Sequence, residues 1–349
     1  MKHIFFIALL LFVWACKPDK MAPISPITGV AIEPILTDST LSIRALDILD
    51  TKNIAFAANN NTYGLYNTTA NTWLLTEQQY DSLTLEFRAV GNNLEDFFML
   101  SVGNPALLFK TTNSGTMALV YKEAGAGVFY NAMAFWNKQE GIAVGDATDS
   151  CMSVIITRDG GNTWKKLSCK ILPDTDYGAA AFAASNTNIV VLGSHTWIAT
   201  GGVASAILYS PDKGKTWEAY KTPIVQGTAT TGMYSLTFYD AKTGFAIGGD
   251  YTNPDAYAAN KIRTLDGGKT WELVAAQAEP GYRSCVQYIP NSGGTELLAV
   301  GFNGMDYSSD NGLSWKRLSD AGYYTIRFLN DSVAFAAGKG RISKLTFKR

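Results

Sequence analysis

Short runs of apolar residues recur in pairs along most of the chain and are separated by polar turns. The first run of each pair ends in an aromatic or apolar residue: Leu49, Phe87, Phe135, Phe182, Phe238, Tyr288 and Phe328. The second ends in Gly or Asn: Asn59, Gly103, Gly145, Gly193, Gly248, Gly301 and Gly338. Runs this short, bounded by turn residues, are typical of β-strands. The pairs therefore predict seven repeated units, spaced roughly 40 to 50 residues apart.

A turn of fixed pattern follows the second run in four of these units. The pattern is a hydroxyl residue, any residue, Asp, any residue, Gly, any residue, a hydroxyl residue and Trp, as in TRDGGNTW at 157–164. The carboxylate of such a turn can accept backbone N–H groups, and Gly takes a positive φ at no steric cost. We call these turns the Asp-box loops and expect a structural role for their Asp and Trp residues. These are Asp159, Trp164, Asp212, Trp217, Asp266, Trp271, Asp310 and Trp315.

Each unit then has four strands: A and B for the two apolar runs, C before the turn and D after it. Repeats of this kind are the signature of propeller blades. The last unit contains A, B and C only, and the segment 29–36 can supply its D strand. The pattern predicts an all-β fold, a seven-bladed β-propeller of four-stranded blades spanning 29–349 and closed by an N-terminal strand that completes the last blade. A linear solenoid would instead need polar capping units at its ends.

The Asp-box loops resemble those of BNR-repeat propellers such as sialidases. Together with the preceding strands, as in EGIAVGDATDSCMSVIITRDGGNTWKKL at 140–167, they most resemble the photosystem II assembly and stability factor family. The resemblance implies a propeller and an assembly or chaperone-like role. That family has an arginine patch on the propeller, and here Arg283 occupies a comparable place on the candidate rim.

The N-terminus reads as an export signal. Lys2 is followed by an apolar run from Ile4 to Trp14, which is too short to cross a bilayer, and then by Ala15 and Cys16. Ala15-Cys16 resembles a bacterial lipobox, although Trp14 departs from its usual pattern. We expect a lipoprotein signal peptide at 1–15, lipidation of Cys16, a Pro-rich tether at 16–28 and anchoring in the bacterial cell envelope, at the outer membrane or cell surface. An ordinary signal peptide is the alternative.

Export places Cys151 and Cys169 where disulfides can form, and they flank a predicted hairpin. A bridge and two buried free thiols both fit the sequence, because the register of the hairpin is not fixed by it. The chain has no Cys-x-x-Cys pair, and once the signal is removed its one histidine is His195. We therefore expect no metal and no cofactor.

Composition narrows the choice of partners. The formal net charge is -1, which gives no field that would gather nucleic acid. The chain is 47% hydrophobic and 17% charged, a composition of folded rather than disordered proteins. We expect a monomer that binds an envelope protein, a peptide or a glycan.

The B-to-C and D-to-A connections meet at the rim opposite the Asp-box loops. Insertions and aromatic residues concentrate there, and the candidate ligand rim comprises Tyr130, Tyr177, His195, Trp197, Tyr234, Tyr257, Tyr282, Arg283, Tyr323 and Tyr324. Aromatic rings with an arginine suit a peptide or a glycan. The alternative is that these tyrosines pack between blades.

No catalytic residue is assigned. The strand motif that carries the first substrate-binding arginine of sialidases is absent, and His195 has no nucleophile-elbow motif near it. We expect a non-catalytic binding protein. A sialidase-like or other glycoside hydrolase is the alternative, because glycosidases of other types need only two carboxylates.

Overall fold

The computed structural model describes residues 25–175 and 178–349. Every regular element there is a β-strand, and no helix of this part is long and apolar enough to cross a membrane. In chain order the strands are β1 (Gly29–Ser42), β2 (Ala45–Ile48), β3 (Asn53–Ala57), β4 (Thr62–Asn67), β5 (Thr72–Glu77), β6 (Phe87–Asn92), β7 (Phe97–Ser101), β8 (Ala106–Thr111), β9 (Met117–Glu123), β10 (Tyr130–Phe135), β11 (Gly141–Ala147), β12 (Met152–Thr157), β13 (Lys165–Lys166), β14 (Ala179–Ala180), β15 (Ile189–Leu192), β16 (His195–Ala199), β17 (Gly201–Gly202), β18 (Ala206–Ser210), β19 (Glu218–Lys221), β20 (Thr231–Phe238), β21 (Gly244–Asp250), β22 (Lys261–Thr264), β23 (Glu272–Leu273), β24 (Cys285–Tyr288), β25 (Leu297–Gly301), β26 (Gly304–Ser308), β27 (Lys316–Ser319), β28 (Thr325–Phe328) and β29 (Val333–Lys348).

The strands form seven antiparallel sheets arranged as the blades of a propeller, which confirms the predicted fold. Blades 1, 2 and 3 are β2–β5, β6–β9 and β10–β13; blade 4 is β15, β16, β18 and β19; blades 5 and 6 are β20–β23 and β24–β27. The core lies between neighbouring blades, where apolar side chains of the A, B and C strands of adjacent sheets meet. For example, Phe98 and Leu108 of blade 2 pack in one buried cluster with Met133 and Ile155 of blade 3.

Blade 7 closes the ring. Strand β29 carries both B and C, and its N-terminal part pairs with β28 while its C-terminal part pairs with β1, from Gly29 opposite Lys348 to Thr37 opposite Arg341. Ile27, just before β1, is fully buried, and its N–H donates to the Tyr307 hydroxyl at 3.3 Å. The N-terminal strand thus completes the last blade, as the sequence predicts.

The Asp-box loops have one common geometry. In the loop of blade 3, the Asp159 carboxylate accepts the Thr163 N–H at 2.9 Å and the Thr157 hydroxyl at 2.8 Å. Burial raises the pKa of Asp159, but these hydrogen bonds outweigh it, so the net shift is downward. The Trp164 indole N–H donates to the Gly161 carbonyl at 3.2 Å. The other three loops have the same bonds: the carboxylate accepts a backbone N–H in Asp212, Asp266 and Asp310, and the indole N–H donates to a glycine carbonyl in Trp217, Trp271 and Trp315. These carboxylates therefore bond within their own turns.

Cys151 and Cys169 form a disulfide, with their Cα atoms 5.4 Å apart. The bridge ties the start of β12 to the segment that follows β13. It settles the pairing that the sequence leaves open. Cys285 is a buried free thiol in the A strand of blade 6.

Blade 4 differs from its predicted strand assignment. The run 189–193 forms the A strand β15 rather than B, and β16 forms the B strand, so Phe182 does not end an A strand. Residues 181–188 instead lie outside the sheet of blade 4, before β15 begins. His195 therefore follows the A–B turn, on the face of the Asp-box loops, and the prediction that it lies on the opposite rim is wrong.

Candidate functional site

The face opposite the Asp-box loops opens into a cavity of about 460 Å³, which we call the funnel. It lies at the axial end where the D-to-A connections meet the B-to-C connections. Its lining comprises Arg44, Arg88, Phe129, Asp146, Ala180, Ala181, Phe182, Ala183, Ala184, Ala229, Tyr234, Tyr251, Tyr282 and Phe302. The wall is thus mainly aromatic and small apolar side chains, with two guanidinium groups on one side.

Arg44 is the most unusual group in the funnel. Its guanidinium lies over the Tyr324 ring, 4.0 Å from the centroid. No carboxylate of the described residues lies within salt-bridge distance, and its Nε–H is buried without a hydrogen-bond partner. Burial, with Arg88 nearby, lowers the pKa of Arg44. A desolvated cation with an unused donor is the arrangement that an anionic ligand would stabilise.

Arg88 supplies the second positive charge. It forms an ion pair with Glu86 at 2.7 Å and remains partly exposed, with 27% of its side chain accessible. The Asp146 carboxylate, across the funnel, accepts bonds from the Ala181 N–H and the Asn131 amide, but burial dominates and raises its pKa. Among the described residues, Glu86 acts on Arg44 only at a distance, and Asp146 makes no ion pair with it.

Stacked aromatic rings form the wall beside these charges. Phe182 and Tyr234 are parallel at 4.0 Å, and Tyr282 meets Tyr234 edge-on at 4.8 Å. The Tyr234 hydroxyl donates to the Thr230 carbonyl at 2.7 Å, which holds the ring in place. Phe302 continues the wall at 5.3 Å from Tyr282. Such a wall offers a large, rigid contact area at little entropic cost.

The funnel has a floor because residues 185–187 cross the central channel of the propeller. We call Ser185, Asn186 and Thr187 the channel plug. The Ser185 hydroxyl donates to the Ser284 carbonyl of blade 6, and the Ser185 carbonyl accepts the Thr325 hydroxyl of blade 7 at 2.9 Å. The plug is nearly inaccessible to solvent.

Asn186 and Thr187 extend these contacts to three more blades. The Asn186 amide donates to the Val90 carbonyl of blade 2 at 2.8 Å and accepts the Met133 N–H of blade 3 at 3.0 Å. The Thr187 carbonyl accepts the Leu236 N–H of blade 5 at 2.9 Å. The inner edges of the A strands, which would otherwise face an open channel with unpaired backbone groups, are thus partly satisfied by the plug.

Several predicted rim residues are buried in the protein instead. Arg283 is 3% exposed and pairs with Asp306, its Nε lying 2.7 Å from a carboxylate oxygen. Tyr130 is fully buried and donates to Glu123 at 2.7 Å, and Tyr323 donates to Ser343 at 2.9 Å. The prediction that these three side chains face the rim is wrong, because each turns inward to a polar partner: Asp306 in β26, Glu123 in β9 and Ser343 in β29.

His195 and Trp197 belong to the B strand of blade 4. Trp197 is fully buried, stacks on Phe238 at 3.8 Å and donates its indole N–H to the Gly267 carbonyl of the next Asp-box loop at 2.8 Å. The His195 Nδ1 lies 2.7 Å from the Tyr209 hydroxyl. Trp197 therefore packs between blades 4 and 5, whereas His195 stacks on Trp197 and Tyr209 within blade 4.

Tyr234 and Tyr282 line the funnel, and Tyr324 supports Arg44. Tyr257 is 40% exposed in the B-to-C connection of blade 5, outside the funnel lining. Tyr177 lies outside the described residues. Arg44 is the main residue that sequence reasoning missed. The sequence does carry a signal for it, because Arg44 lies five positions before Leu49, and the same offset separates Tyr130, Tyr177, Arg283 and Tyr323 from Phe135, Phe182, Tyr288 and Phe328.

No family model matches the chain, and no curated protein matches it. Among solved structures it is similar to a propeller described as YCF48 bound to D1 peptide, with a TM-score of 0.67, 14% identity and coverage of 95% of this chain and 99% of that chain. The chain resembles YCF48 in fold.

Two enzymes have the same architecture. The xyloglucanase of glycoside hydrolase family 74 from Xanthomonas campestris gives a TM-score of 0.64 at 13% identity, covering 90% of this chain and 53% of the enzyme. Streptogramin B lyase gives 0.67 at 13% identity, with 92% and 98% covered. At such identities the likeness is one of fold, since one propeller fold hosts binding proteins and enzymes alike.

Within residues 25–175 and 178–349, no group of three or more His, Cys, Asp or Glu side chains is placed to hold a metal ion. What the funnel offers chemically is a cationic, aromatic surface with a closed floor.

Proposed function

We propose that the protein is a non-catalytic binding protein whose funnel takes an anionic peptide group, either a C-terminal carboxylate or an acidic side chain. The observation that carries the proposal is Arg44, a desolvated guanidinium with an unused N–H and no carboxylate partner among the described residues. A carboxylate would supply both the charge and the acceptor. Arg88 stands close enough to influence Arg44 electrostatically, so the two cations reinforce each other's attraction for an anion.

The aromatic wall favours a peptide over an isolated ion. Tyr234, Tyr282 and Phe302 lie next to one another beside the cations, and they would cover apolar side chains near the bound carboxylate. The structural neighbour described as bound to D1 peptide supports this assignment by analogy of fold. An assembly or chaperone-like role for a monomeric envelope protein is the coarser form of the same proposal.

The proposal is tested with labelled hexapeptides of random sequence, synthesised once with a free C-terminal carboxylate and an acidic residue, and once amidated without acidic residues. Fluorescence anisotropy should show binding of the first pool only. Arg44→Gln should weaken that binding about 10-fold to 150-fold, the range expected for a lost charge-assisted hydrogen bond. Arg158→Gln is the matched control, because Arg158 pairs with Glu140 on the opposite face.

Equal binding of the two pools, or binding that Arg44→Gln leaves unchanged, would contradict the proposal. Release of reducing sugar from xyloglucan or of a fluorophore from sialosides would support the hydrolase alternative instead. Asp146, whose pKa burial raises, would then be the first residue to replace.

We further propose that the chain is a lipoprotein anchored through Cys16 in the bacterial cell envelope. The support is the sequence from Lys2 to Cys16, which lies outside the described residues. Cys16→Ser should abolish labelling by a palmitate analogue and move the protein from the membrane fraction to the soluble one. Unchanged labelling would contradict the anchor.

A further inference from the structure

A second cavity, which we call the chamber, lies in the channel on the other side of the plug, toward the Asp-box loops. Its volume is about 340 Å³, and an adjoining cavity of about 390 Å³ shares Asp47, Thr237, Gln287 and Arg327 with it. Asn186 and Thr187 of the plug line its inner end. The chamber is therefore a closed-ended site that the plug separates from the funnel.

Every blade contributes one equivalent residue to the chamber wall. Each pairs with the second or third residue of its B strand. Six of them also lie two positions before the residue whose backbone N–H closes the A–B turn. In order of the blades they are Asp47, Gly91, Ala134, Val190, Thr237, Gln287 and Arg327. Equivalent positions in a propeller surround the axis, so this ring is one cross-section of the channel.

The ring is divided into two arcs. Blades 2, 3 and 4 present Gly91, Ala134 and Val190, which form an apolar arc. Blades 5, 6, 7 and 1 present one hydroxyl, one amide, one guanidinium and one carboxylate. The packing of the blades does not require polar side chains at these positions, because uncharged apolar residues fit the equivalent positions of blades 2, 3 and 4.

The polar arc has unused bonding capacity. The Asp47 carboxylate accepts the backbone N–H of the next residue, Ile48, and the Asn92 amide N–H at 2.7 Å. No cation of the described residues lies within salt-bridge distance of it. Burial raises the pKa of Asp47, and Arg327 only partly opposes this. The Gln287 amide, which is half-buried, makes no hydrogen bond within the described part of the chain.

Arg327 is held rigidly beside this carboxylate. Its two terminal nitrogens donate to the Thr325 hydroxyl, the Ile326 carbonyl and the plug carbonyls of Ser185 and Asn186. The Nε–H is left for a ligand, and the positive charge has no carboxylate within salt-bridge distance among the described residues. Asp47 and Arg327 thus present opposite charges from neighbouring blades without neutralising each other by direct contact.

We infer that the chamber binds a small zwitterion of the α-amino acid class with an apolar side chain. Its ammonium group partners Asp47, its carboxylate takes the Arg327 Nε–H and the Gln287 amide, and its side chain lies against Ala134 and Val190. A volume of about 340 Å³ equals that of roughly ten water molecules, which accommodates an amino acid such as leucine. This site is independent of the funnel, because the plug lies between them.

The test is isothermal titration with L-leucine and two analogues that each lack one charge. The first, 4-methylpentanoate, has no ammonium group, and the second, 3-methylbutylamine, has no carboxylate. Leucine should bind at one site per chain and both analogues at least tenfold more weakly. Absence of leucine binding at about 10 mM, or equal binding of either analogue, would overturn the inference.

Variants locate the site. Gln287→Ala removes an amide that has no partner to lose, and Asp47→Asn keeps the side-chain shape; each should weaken leucine binding at least tenfold. Ala134→Leu fills the chamber and should abolish binding, and circular dichroism should show that it is folded. Arg44→Gln, in the funnel, should leave leucine binding unchanged, so failure of the chamber is distinguishable from failure of the funnel. Binding unaffected by both Asp47→Asn and Gln287→Ala would also overturn the inference.

Discussion

The plug should contribute strongly to stability, and Asn186 is the residue at which this can be measured. Its amide bridges the Val90 carbonyl and the Met133 N–H, which belong to two different blades. Asn186→Ala leaves both backbone groups buried without partners, at a cost of about 1 to 3 kcal/mol each. The residue also has a φ of 58°, where Ala pays roughly 1 to 2 kcal/mol more than a residue suited to that region.

The expected loss is therefore about 3 to 8 kcal/mol, a large part of the 5 to 15 kcal/mol typical of a folded domain. Asn291→Ala is the matched control: Asn291 has a φ of 62° but is exposed, and its side chain makes no hydrogen bond within the described residues. The difference between the two variants isolates the two bridging bonds.

Urea unfolding followed by tryptophan fluorescence measures both free energies. Asn186→Ala should lower the free energy of unfolding by about 2 to 6 kcal/mol more than Asn291→Ala does. Equal losses in the two variants would refute the idea that the plug ties the blades together.

Two further predictions concern pH and reduction. Burial, with Arg283 nearby, lowers the pKa of Lys261 to about 7, against 10.5 for the free side chain. Between these pH values Lys261 holds a proton in the unfolded chain that it has lost in the folded chain, so the free energy of unfolding should rise with pH from about 7 to 10. Lys261→Met should remove this rise. An unchanged slope in the variant would contradict the pKa shift. Reduction of Cys151–Cys169, separated by 18 residues, should cost about 3 kcal/mol in urea unfolding, and the double Ser variant should no longer respond to reductant. A wild-type protein equally stable with and without reductant would show that the bridge contributes nothing.

The fold was predictable because each blade repeats the same local rules. The Asp-box loops are self-contained: Asp159 bonds within its own turn, so residues 157–164 specify it without help from the rest of the chain. Ring closure was also predictable from the sequence, because the last unit lacks a D strand and the strand that begins at Gly29 belongs to no other unit.

The predicted strand assignment of blade 4 is wrong because it depends on long-range contacts that the local sequence pattern does not show. The apolar run around Phe182 has the composition of an A strand, yet its continuation crosses the channel and bonds to residues up to 142 positions away, as in the contact of Arg327 with Ser185. Pairing over such a distance leaves no trace in strand periodicity. Assigning this run to strand A makes β15 the B strand and places His195 on the face opposite the Asp-box loops.

The candidate site was only partly predictable, for a similar reason. Whether an arginine is free or paired depends on partners elsewhere in the fold: Asp306 neutralises Arg283, whereas Arg44 meets the ring of Tyr324 and no carboxylate among the described residues. The aromatic character of the funnel could be read from the tyrosines of the D-to-A connections. The unpaired positive charge of Arg44, which indicates an anionic ligand, could not be read from the sequence.

If Cys16 carries lipid as proposed, the way in which the N-terminal strand joins blade 7 sets which face of the propeller lies nearer the anchor. Ser25 and Ile27 bind Arg349 and Lys316, so the chain enters the propeller on the Asp-box face, and β1 then runs across the blade to Arg44 at the funnel. Ser25 lies nine positions after Cys16, a distance of at most about 30 Å along the chain. With lipid on Cys16, the chamber would face the bilayer and the funnel would open toward the aqueous compartment, where a peptide could enter it without approaching the lipid.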